Sequence, residues 1–183
     1  MRWFLLTVVT LTIGLVLLGC GGGSFNDSSN VMRPLSTGDT FYYQDLLSGQ
    51  SRMEIYAETS PNIFTNNRYA DAFWPYLQYD AVSGRITVYR QGSYLDSTQK
   101  QYSFPIVMTP GAPVTIYNSD GTTGTALLSG FTAVTVPAGK FWCYSFVSNG
   151  YQLWISPALG MMVKIREVNG DDGLDLTTYS ISD

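Results

Sequence analysis

Residues 141–156, FWCYSFVSNGYQLWIS, decide the fold of this chain. Two runs rich in aromatic and aliphatic residues flank the dipeptide Asn149-Gly150, which favours a two-residue type I′ turn between antiparallel strands. A turn of this kind fixes which residues of the two strands face each other, so the stretch predicts both a hairpin and its register. The predicted cross-strand pairs are Ser148 with Tyr151, Phe146 with Leu153, and Tyr144 with Ile155.

Apolar side chains lie on both faces of this predicted hairpin. One face carries the aromatic pairs, and the other carries Phe141, Cys143, Val147 and Trp154. Strands that are apolar on both sides are normally covered on both sides. We therefore expect a curved sheet whose concave side is occupied by a plug, by a helix or by a ligand.

The rest of the chain from residue 36 repeats this pattern. Short runs rich in Tyr, Phe, Val, Ile and Thr alternate with turn dipeptides such as Ser-Gly, Asp-Gly and Asn-Gly, which is typical of strands and tight turns. Connections this short cannot carry parallel crossovers. The sequence predicts an all-β fold, a single antiparallel meander over residues 36–183 that forms a curved sheet, half-barrel or barrel. The predicted strands are 40–47, 52–58, 62–69, 77–80, 85–90, 102–108, 114–118, 125–136, 141–148, 151–156, 161–168 and 174–181.

The first twenty residues have the layout of an export signal. Arg2 supplies positive charge, and the uncharged apolar run over residues 3–18 reaches roughly 24 Å as a helix, short of a bilayer core of about 30 Å. The run ends in LLGC at residues 17–20, which resembles the lipobox of bacterial lipoproteins. The resemblance implies that residues 1–19 are a cleaved signal peptide and that Cys20 becomes a lipid-modified N-terminus. An ordinary signal peptide followed by a coincidental cysteine is the alternative.

The segment after the cysteine bears on location. Gly21 stands where enteric lipoproteins that stay in the inner membrane carry Asp, so the resemblance implies an outer-membrane anchor. Residues 20–35 are rich in Gly, Ser and Asn and show no apolar period, which predicts a flexible tether between the lipid and the domain. Whether the domain faces the periplasm or the cell surface is left open.

Two strings in the second half of the chain carry a further resemblance. Residues 134–141, VTVPAGKF, and residues 154–164, WISPALGMMVK, resemble the V-P-A-G-x-F turn and the W-x-x-P-x-x-G-x-V-K ending of uncharacterised bacterial envelope proteins. Those proteins have curved half-barrel folds similar to the periplasmic carriers of lipoproteins. The resemblance implies fold and location but no activity. Met161-Met162 adds one residue to the pattern, which leaves the register of that strand open.

Catalytic and nucleic-acid-binding chemistry is poorly represented. The chain has no histidine, which excludes Ser-His-Asp triads, Cys-His pairs and His-ligated zinc. Loss of Arg2 with the leader leaves nine of the ten Lys and Arg residues against 14 Asp and Glu residues, and such a surface repels phosphate backbones. We therefore expect neither an enzyme nor a nucleic-acid-binding protein, and no cofactor. Carboxylates in or near the predicted strands show no spacing that selects a catalytic pair; they are Glu54, Glu58, Asp71, Asp80 and Asp96.

Cys143 and the acidic segment 169–175 each have a structural and a functional interpretation. An acylated Cys20 leaves Cys143 without a disulfide partner, in an aromatic strand pattern that favours a buried apolar role over that of a nucleophile. Segment 169–175, NGDDGLD, offers the oxygen ligands that calcium prefers but lacks the EF-hand spacing. Its Gly and Asp residues also suit a hairpin loop with positive φ, and we favour the loop, so no metal site is predicted.

Aromatic residues make up 14% of the chain and supply the functional hypothesis. Segment 71–76, DAFWPY, is the expected place for exposed rings, because Pro75 interrupts a strand ladder. The predicted ligand-binding residues are Trp74, Tyr76, Phe141, Val147 and Trp154. The sequence thus predicts a lipid-anchored, non-enzymatic envelope protein that binds a hydrophobic ligand or a partner protein in envelope assembly or maintenance. The alternative is a carbohydrate-contacting or adhesive module that uses exposed aromatic rings.

The anchor can be tested without knowledge of the fold. Replacing Cys20 with Ser removes the thiol that accepts the lipid, so metabolic labelling with a fatty-acid probe should fall to background. Cys143→Ser is the matched control. It removes the other cysteine but leaves Cys20 in place, so the variant should keep the fatty-acid label. Equal labelling of Cys20→Ser and the unmodified chain would contradict the lipoprotein assignment.

Overall fold

The computed structural model describes residues 29–67, 74–90 and 99–182. The leader, Cys20, Asp71, Asp96 and most of the predicted tether lie outside the described residues. The described residues form thirteen β-strands and no α-helix, and none of them belongs to a helix that could cross a membrane. The strands are β1 (Thr40–Asp45), β2 (Ser51–Ser60), β3 (Ile63–Asn66), β4 (Tyr76–Asp80), β5 (Arg85–Tyr89), β6 (Lys100–Pro105), β7 (Pro113–Tyr117), β8 (Thr123–Leu127), β9 (Thr132–Val136), β10 (Gly139–Ser148), β11 (Tyr151–Ser156), β12 (Met161–Glu167) and β13 (Gly173–Ser180).

These strands form one antiparallel sheet, which confirms the predicted fold class. The order along the sheet is β8-β7-β6-β5-β4-β3-β2-β1-β13-β12-β11-β10-β9. Chain order is kept within β1–β8 and within β9–β13, so the sheet consists of two meanders. The meanders are joined where the first strand, β1, pairs with the last, β13.

The two edges of the sheet are consecutive in the chain. β8 and β9 occupy the first and thirteenth positions of the sheet, and because every neighbouring pair is antiparallel, both strands point the same way. Between them, Ser129 donates its N–H to the carbonyl of Ser145 on β10 at 2.7 Å. The Ser145 N–H donates in turn to Ser129 Oγ at 3.0 Å. The sheet is not closed by a continuous ladder, but its edges meet at this Ser129–Ser145 seam.

The single strand predicted over residues 125–136 is wrong, because the structure has two strands there. Residues 128–131 leave the ladder, and Leu128 turns inward with 2% exposure. β8 pairs with β7, whereas β9 pairs with β10. Gly130, which weakens a strand and adds no side chain to pack, marks the break. Every other predicted strand is present, with ends displaced by no more than three residues.

β2 and β10 turn the corners of the sheet. Each is ten residues long and changes partner halfway. β2 pairs first with β1 and then with β3, and β10 pairs with β9 up to residue 143 and with β11 from residue 144. Strands that change partner in this way bend a sheet back on itself. The bend brings Tyr102 of β6 against Phe146 of β10, with ring centroids 5.4 Å apart.

The chain's own side chains fill the concave side of the sheet. Tyr43, fully buried, donates its hydroxyl proton to the carbonyl of Met162 across the interior at 2.8 Å. The concave side, for which the sequence predicted a plug, a helix or a ligand, is therefore occupied by side chains of the sheet itself. The largest buried rings are Trp74, Tyr43, Tyr56, Phe41, Phe104 and Phe141.

The hairpin of residues 141–156 has the predicted register. Asn149 and Gly150 have φ values of +50° and +81°, as a type I′ turn requires. The predicted pairs are all observed: Ser148 with Tyr151, Phe146 with Leu153, and Tyr144 with Ile155.

The additional residue in the string 154–164 is absorbed by a β-bulge. Trp154 pairs with Lys164, but the next residue, Ile155, pairs with Met162, so the ladder passes over Val163. Both Met162 and Val163 are fully buried. A bulge turns two successive side chains toward the same side, which explains how both enter the core.

The last part of the predicted tether belongs to the domain. Met32 and Leu35 are 1% and 3% exposed. The N–H of Met32 donates to the carbonyl of Ile106 at 2.8 Å, and the N–H of Arg33 donates to the carbonyl of Pro157 at 2.9 Å. The predicted boundary between residues 35 and 36 is therefore wrong. Two isolated apolar residues make no periodic pattern, yet they are enough to dock the segment.

A buried carboxylate fastens this segment to both ends of the domain. Asp39, directly before β1, is fully buried and accepts both terminal N–H groups of the Arg33 guanidinium at 2.8 Å. It also accepts the N–H of Ser36 at 2.9 Å and the N–H of Ser182, after β13, at 2.8 Å. A buried charge is tolerated when its oxygens are paired in this way.

Gly160 is needed where the N-terminal segment crosses the turn between β11 and β12. Its φ is +69°, and a Cβ there would lie 2.1 Å from the carbonyl oxygen of Arg33. Gly160→Ala should therefore lower the free energy of unfolding by about 2–3 kcal/mol, measured by urea denaturation. Gly84→Ala is the matched control, because Gly84 has a φ of +65° but nothing within 4 Å of a Cβ. It should cost only about 1 kcal/mol of backbone strain, and equal losses in the two variants would contradict the close crossing.

Candidate functional site

Trp74 and Tyr76 are not the exposed pair that the sequence predicts. Trp74 is fully buried, with its ring centroid 5.7 Å from that of Phe104, and Tyr76 at the start of β4 is half-buried. Pro75 does precede the ladder, since β4 begins directly after it. The interruption lets Trp74 turn into the core, so the prediction of an exposed Trp74 is wrong.

Phe141 and Val147 lie on one side of β10 but in different surroundings. Phe141 is fully buried, with its ring centroid 5.8 Å from that of Tyr179 on β13. Val147 is 50% exposed. The cause is that β10 changes its pairing partner after residue 143. The side of β10 that carries Phe141 and Val147 faces the core up to that point and solvent beyond it. The predicted single apolar face of Phe141, Cys143, Val147 and Trp154 is therefore wrong.

Val147 and Trp154 do lie together, on the outer side of the sheet beside the seam. Trp154 is half-buried and faces Ser145 across the hairpin, two residues before Val147. Leu127, 62% exposed, ends β8 two residues before Ser129, and β8 passes within 8 Å of β10. We call Leu127, Val147 and Trp154 the seam surface.

Polar groups border the seam surface. Ser145 Oγ lies 2.7 Å from Ser129 Oγ and accepts a hydrogen bond from the side-chain amide of Gln152 at 3.0 Å. The Lys164 ammonium lies 5.7 Å from the centroid of Trp154, a cation–π distance. An apolar centre with a polar border is the arrangement found in protein–protein interfaces.

A second group of aromatic rings lies on the outer side of the β9–β10 hairpin. Trp142 is 38% exposed, and Phe131 stacks on it with centroids 5.4 Å apart and planes 26° apart. Phe131 also contacts Tyr144 at 4.8 Å. Sequence reasoning missed Phe131 because it fell inside the predicted strand 125–136. Gly130, directly before it, was the signal that the strand breaks.

A pocket of about 230 Å³ opens at the end of the sheet where β1, β2, β11, β12 and β13 meet. We call it the mouth pocket. Sequence reasoning missed it, because its residues come from five separate segments of the chain. Its polar side chains are Asp45, Arg52, Tyr151 and Asp172, and its apolar side chains are Ile165 and Leu174.

Hydrogen bonds hold the carboxylates of the mouth pocket in place. Tyr151 donates its hydroxyl proton to Asp172 at 2.9 Å, and this bond raises the pKa of Tyr151. Asp45 accepts the N–H of Ser48 at 2.8 Å, and hydrogen bonds from Ser48 lower the pKa of Asp45. The pocket therefore presents an ionised Asp45 and a protonated Tyr151 at neutral pH.

The carboxylates considered for acid–base catalysis have structural partners. Glu54 is fully buried. It accepts hydrogen bonds from the Tyr56 hydroxyl at 3.2 Å and from the Asn66 side-chain amide at 2.9 Å. Asp80 accepts the hydroxyl proton of Ser83 in the β4–β5 turn at 2.6 Å. These contacts serve the core and a turn, so they add no support for catalysis. The absence of enzymatic activity stays a prediction.

Cys143 has the buried position expected from the sequence. Its side chain is fully enclosed in the core, and burial raises the pKa of the thiol to about 12. A neutral, enclosed thiol is a poor nucleophile and behaves as a small apolar side chain.

Residues 169–172 of the acidic segment lie in the loop between β12 and β13, the interpretation that we favoured, and residues 173–175 begin β13. Its carboxylates turn to separate partners, Asp172 to Tyr151 and Asp175 to Arg166 at 2.7 Å. Within the described ranges, no three His, Cys, Asp or Glu residues are grouped for a metal ion. The positive φ expected of this loop is not observed, so the loop is not a type I′ turn.

Comparison of this chain with protein-family models, with curated proteins and with solved structures finds no match. The resemblance of residues 134–141 and 154–164 to half-barrel envelope proteins therefore stays a prediction. In the structure, both strings form docking turns. Ala138, between β9 and β10, donates its N–H to the carbonyl of Leu176 at 3.1 Å, and the turn that ends at Gly160 supports the N-terminal segment.

Two aspartate substitutions test the assignment of β10 to core and surface. Phe141→Asp places an unpaired charge at a fully buried position, so it should cost more than about 4 kcal/mol and unfold the domain. Val147→Asp, at a position 50% exposed, should cost about 1 kcal/mol or less. Circular dichroism during urea denaturation measures both. A Phe141→Asp protein that still folds cooperatively would contradict the burial of Phe141 in the core.

Proposed function

We propose that this chain is a lipid-anchored, non-enzymatic protein of the cell envelope that binds a partner protein through the seam surface, in envelope assembly or maintenance. The lipobox-like LLGC at residues 17–20 supports the anchor, and Gly21 supports the outer membrane. The observation that carries the binding proposal is the seam surface itself. Exposed Leu127 and Val147 flank the Ser129–Ser145 seam, where two hydrogen bonds take the place of a continuous ladder between the sheet edges.

The filled concave side favours a partner protein over a small hydrophobic ligand. A ligand held inside the curved sheet would have to displace fully buried rings such as Tyr43 and Phe141, and removal of a ring of this size from a core costs about 3–5 kcal/mol. A partner on the outer side displaces only water. Apolar side chains at the centre of such a surface supply most of the binding energy.

A carbohydrate-contacting module remains the second candidate, and Trp142 is the residue that favours it. Trp142 is 38% exposed, and its ring stacks on that of Phe131. An exposed indole whose orientation is fixed in this way can stack on a sugar ring. Trp142 lies outside the seam surface, so the two candidates predict binding through different residues.

Site-specific photo-crosslinking in living cells tests the seam surface. A photo-reactive residue at position 147 should give a discrete crosslinked product, because Val147 would lie within the interface. The matched control is position 82, fully exposed in the β4–β5 turn, which should give none. Trp154→Ala should remove the product at position 147, and Trp142→Ala should leave it unchanged.

Two results would count against this function. Equal crosslinking at positions 147 and 82 would mean that the seam surface is not an interface. Loss of the product in Trp142→Ala, with retention in Trp154→Ala, would move the binding site to the Phe131–Trp142 stack and favour the carbohydrate or adhesive module.

A further inference from the structure

The mouth pocket has a surplus of negative charge. Its one guanidinium, that of Arg52, has its Nε 3.9 Å from the buried carboxyl group of Glu54. Arg52 is also close enough to Asp45 to help lower the pKa of that carboxyl group. Asp172 also lines the pocket. The lining itself thus holds two carboxylates, Asp45 and Asp172, and one guanidinium that already faces the buried Glu54, so the pocket carries a formal charge of about −1 and favours a cation.

The size and lining of the pocket limit what the cation can be. Its volume of about 230 Å³ is below the roughly 300–1,000 Å³ of pockets that take drug-sized ligands, so it suits a group the size of one side chain. Ile165 and Leu174, 1% and 4% exposed, form its apolar part. A bare metal ion would gain nothing from these side chains, whereas an aliphatic stem would bury its methylene groups against them.

We propose that the mouth pocket binds a primary ammonium group on a short aliphatic stem, the group that a lysine side chain presents. The ammonium reaches the carboxylates of Asp45 and Asp172, and the stem lies against Ile165 and Leu174. An ammonium has three donors and pairs well with converging oxygen acceptors. The site is separate from the seam surface, so this proposal does not depend on the proposed function.

An anionic ligand fits the pocket less well. Arg52 would have to bind it, but this side chain is only 19% exposed and already faces Glu54. A carboxylate or phosphate bound at Arg52 would share the pocket with Asp45 and Asp172, and these like charges would repel it. The same charge surplus that attracts an ammonium therefore rejects an anion.

Isothermal titration calorimetry and amide chemical shifts of the full-length protein in detergent test the proposal. The probe is Nα-acetyl-lysine N-methylamide, and the matched control ligand is the norleucine analogue, which keeps the stem but lacks the charge. The lysine probe should bind at least about tenfold more tightly than the norleucine probe. It should also shift the amide resonances of Gly173 and Leu174, which line the pocket. n-Butylamine distinguishes the source: equal affinity indicates a free amine, and weaker affinity indicates a lysine within a polypeptide.

Neighbouring aspartates supply a matched pair of variants. Asp172→Asn keeps an oxygen that can accept the Tyr151 hydroxyl proton, so the domain should stay folded while affinity for the lysine probe falls about tenfold. Asp171→Asn removes the same charge from an exposed residue that does not line the pocket, and affinity should change less than about twofold. Equal weakening in both variants, or equal binding of the lysine and norleucine probes, would overturn the proposal.

Discussion

The pairing of β1 with β13 is the constraint on which the rest of this structure depends. Contacts within each meander join strands that are close in the chain, but β1 and β13 are separated by almost the whole domain. Closing so long a loop costs conformational entropy before any contact forms. Asp39 offsets part of that cost, because its buried carboxylate accepts hydrogen bonds from Arg33 before β1 and from Ser182 after β13. The two ends of the domain are therefore fixed at one point in the middle of the sheet.

Local sequence predicted the fold where local chemistry decides it. The Asn149-Gly150 turn fixes its own geometry, so the register of the hairpin could be read directly. The break at residues 128–131 could not, because it depends on where β8 stops pairing with β7 and β9 starts pairing with β10. The burial of Trp74 has the same origin. Alternation shows that two sides of a strand differ, but only tertiary packing determines which side is covered along each part of its length.

The candidate sites divide along the same line. Val147 and Trp154 were predicted because they belong to one hairpin whose register is known. Leu127 was not, because it reaches them only through the meeting of the two sheet edges. The mouth pocket combines side chains that are far apart in the sequence, such as Asp45 and Asp172. The acidic segment taken alone predicted only a hairpin loop. A site assembled by long-range pairing leaves no local spacing for sequence reasoning to detect.

The strand directions also relate the proposed anchor to the proposed binding surfaces. The docked N-terminal segment lies at the end of the sheet where β1 begins and β11 ends, against Pro157. The mouth pocket lies at the opposite end, where β1 ends and β11 begins. Six-residue strands such as β1 and β11 separate the two ends by about 20 Å, at roughly 3.3 Å per residue. Val147 also lies near the pocket end, one residue before the end of β10. The docked N-terminal segment and the mouth pocket therefore lie at opposite ends of the sheet, so a partner at the pocket would not have to displace the contacts of Met32 and Arg33 with the domain.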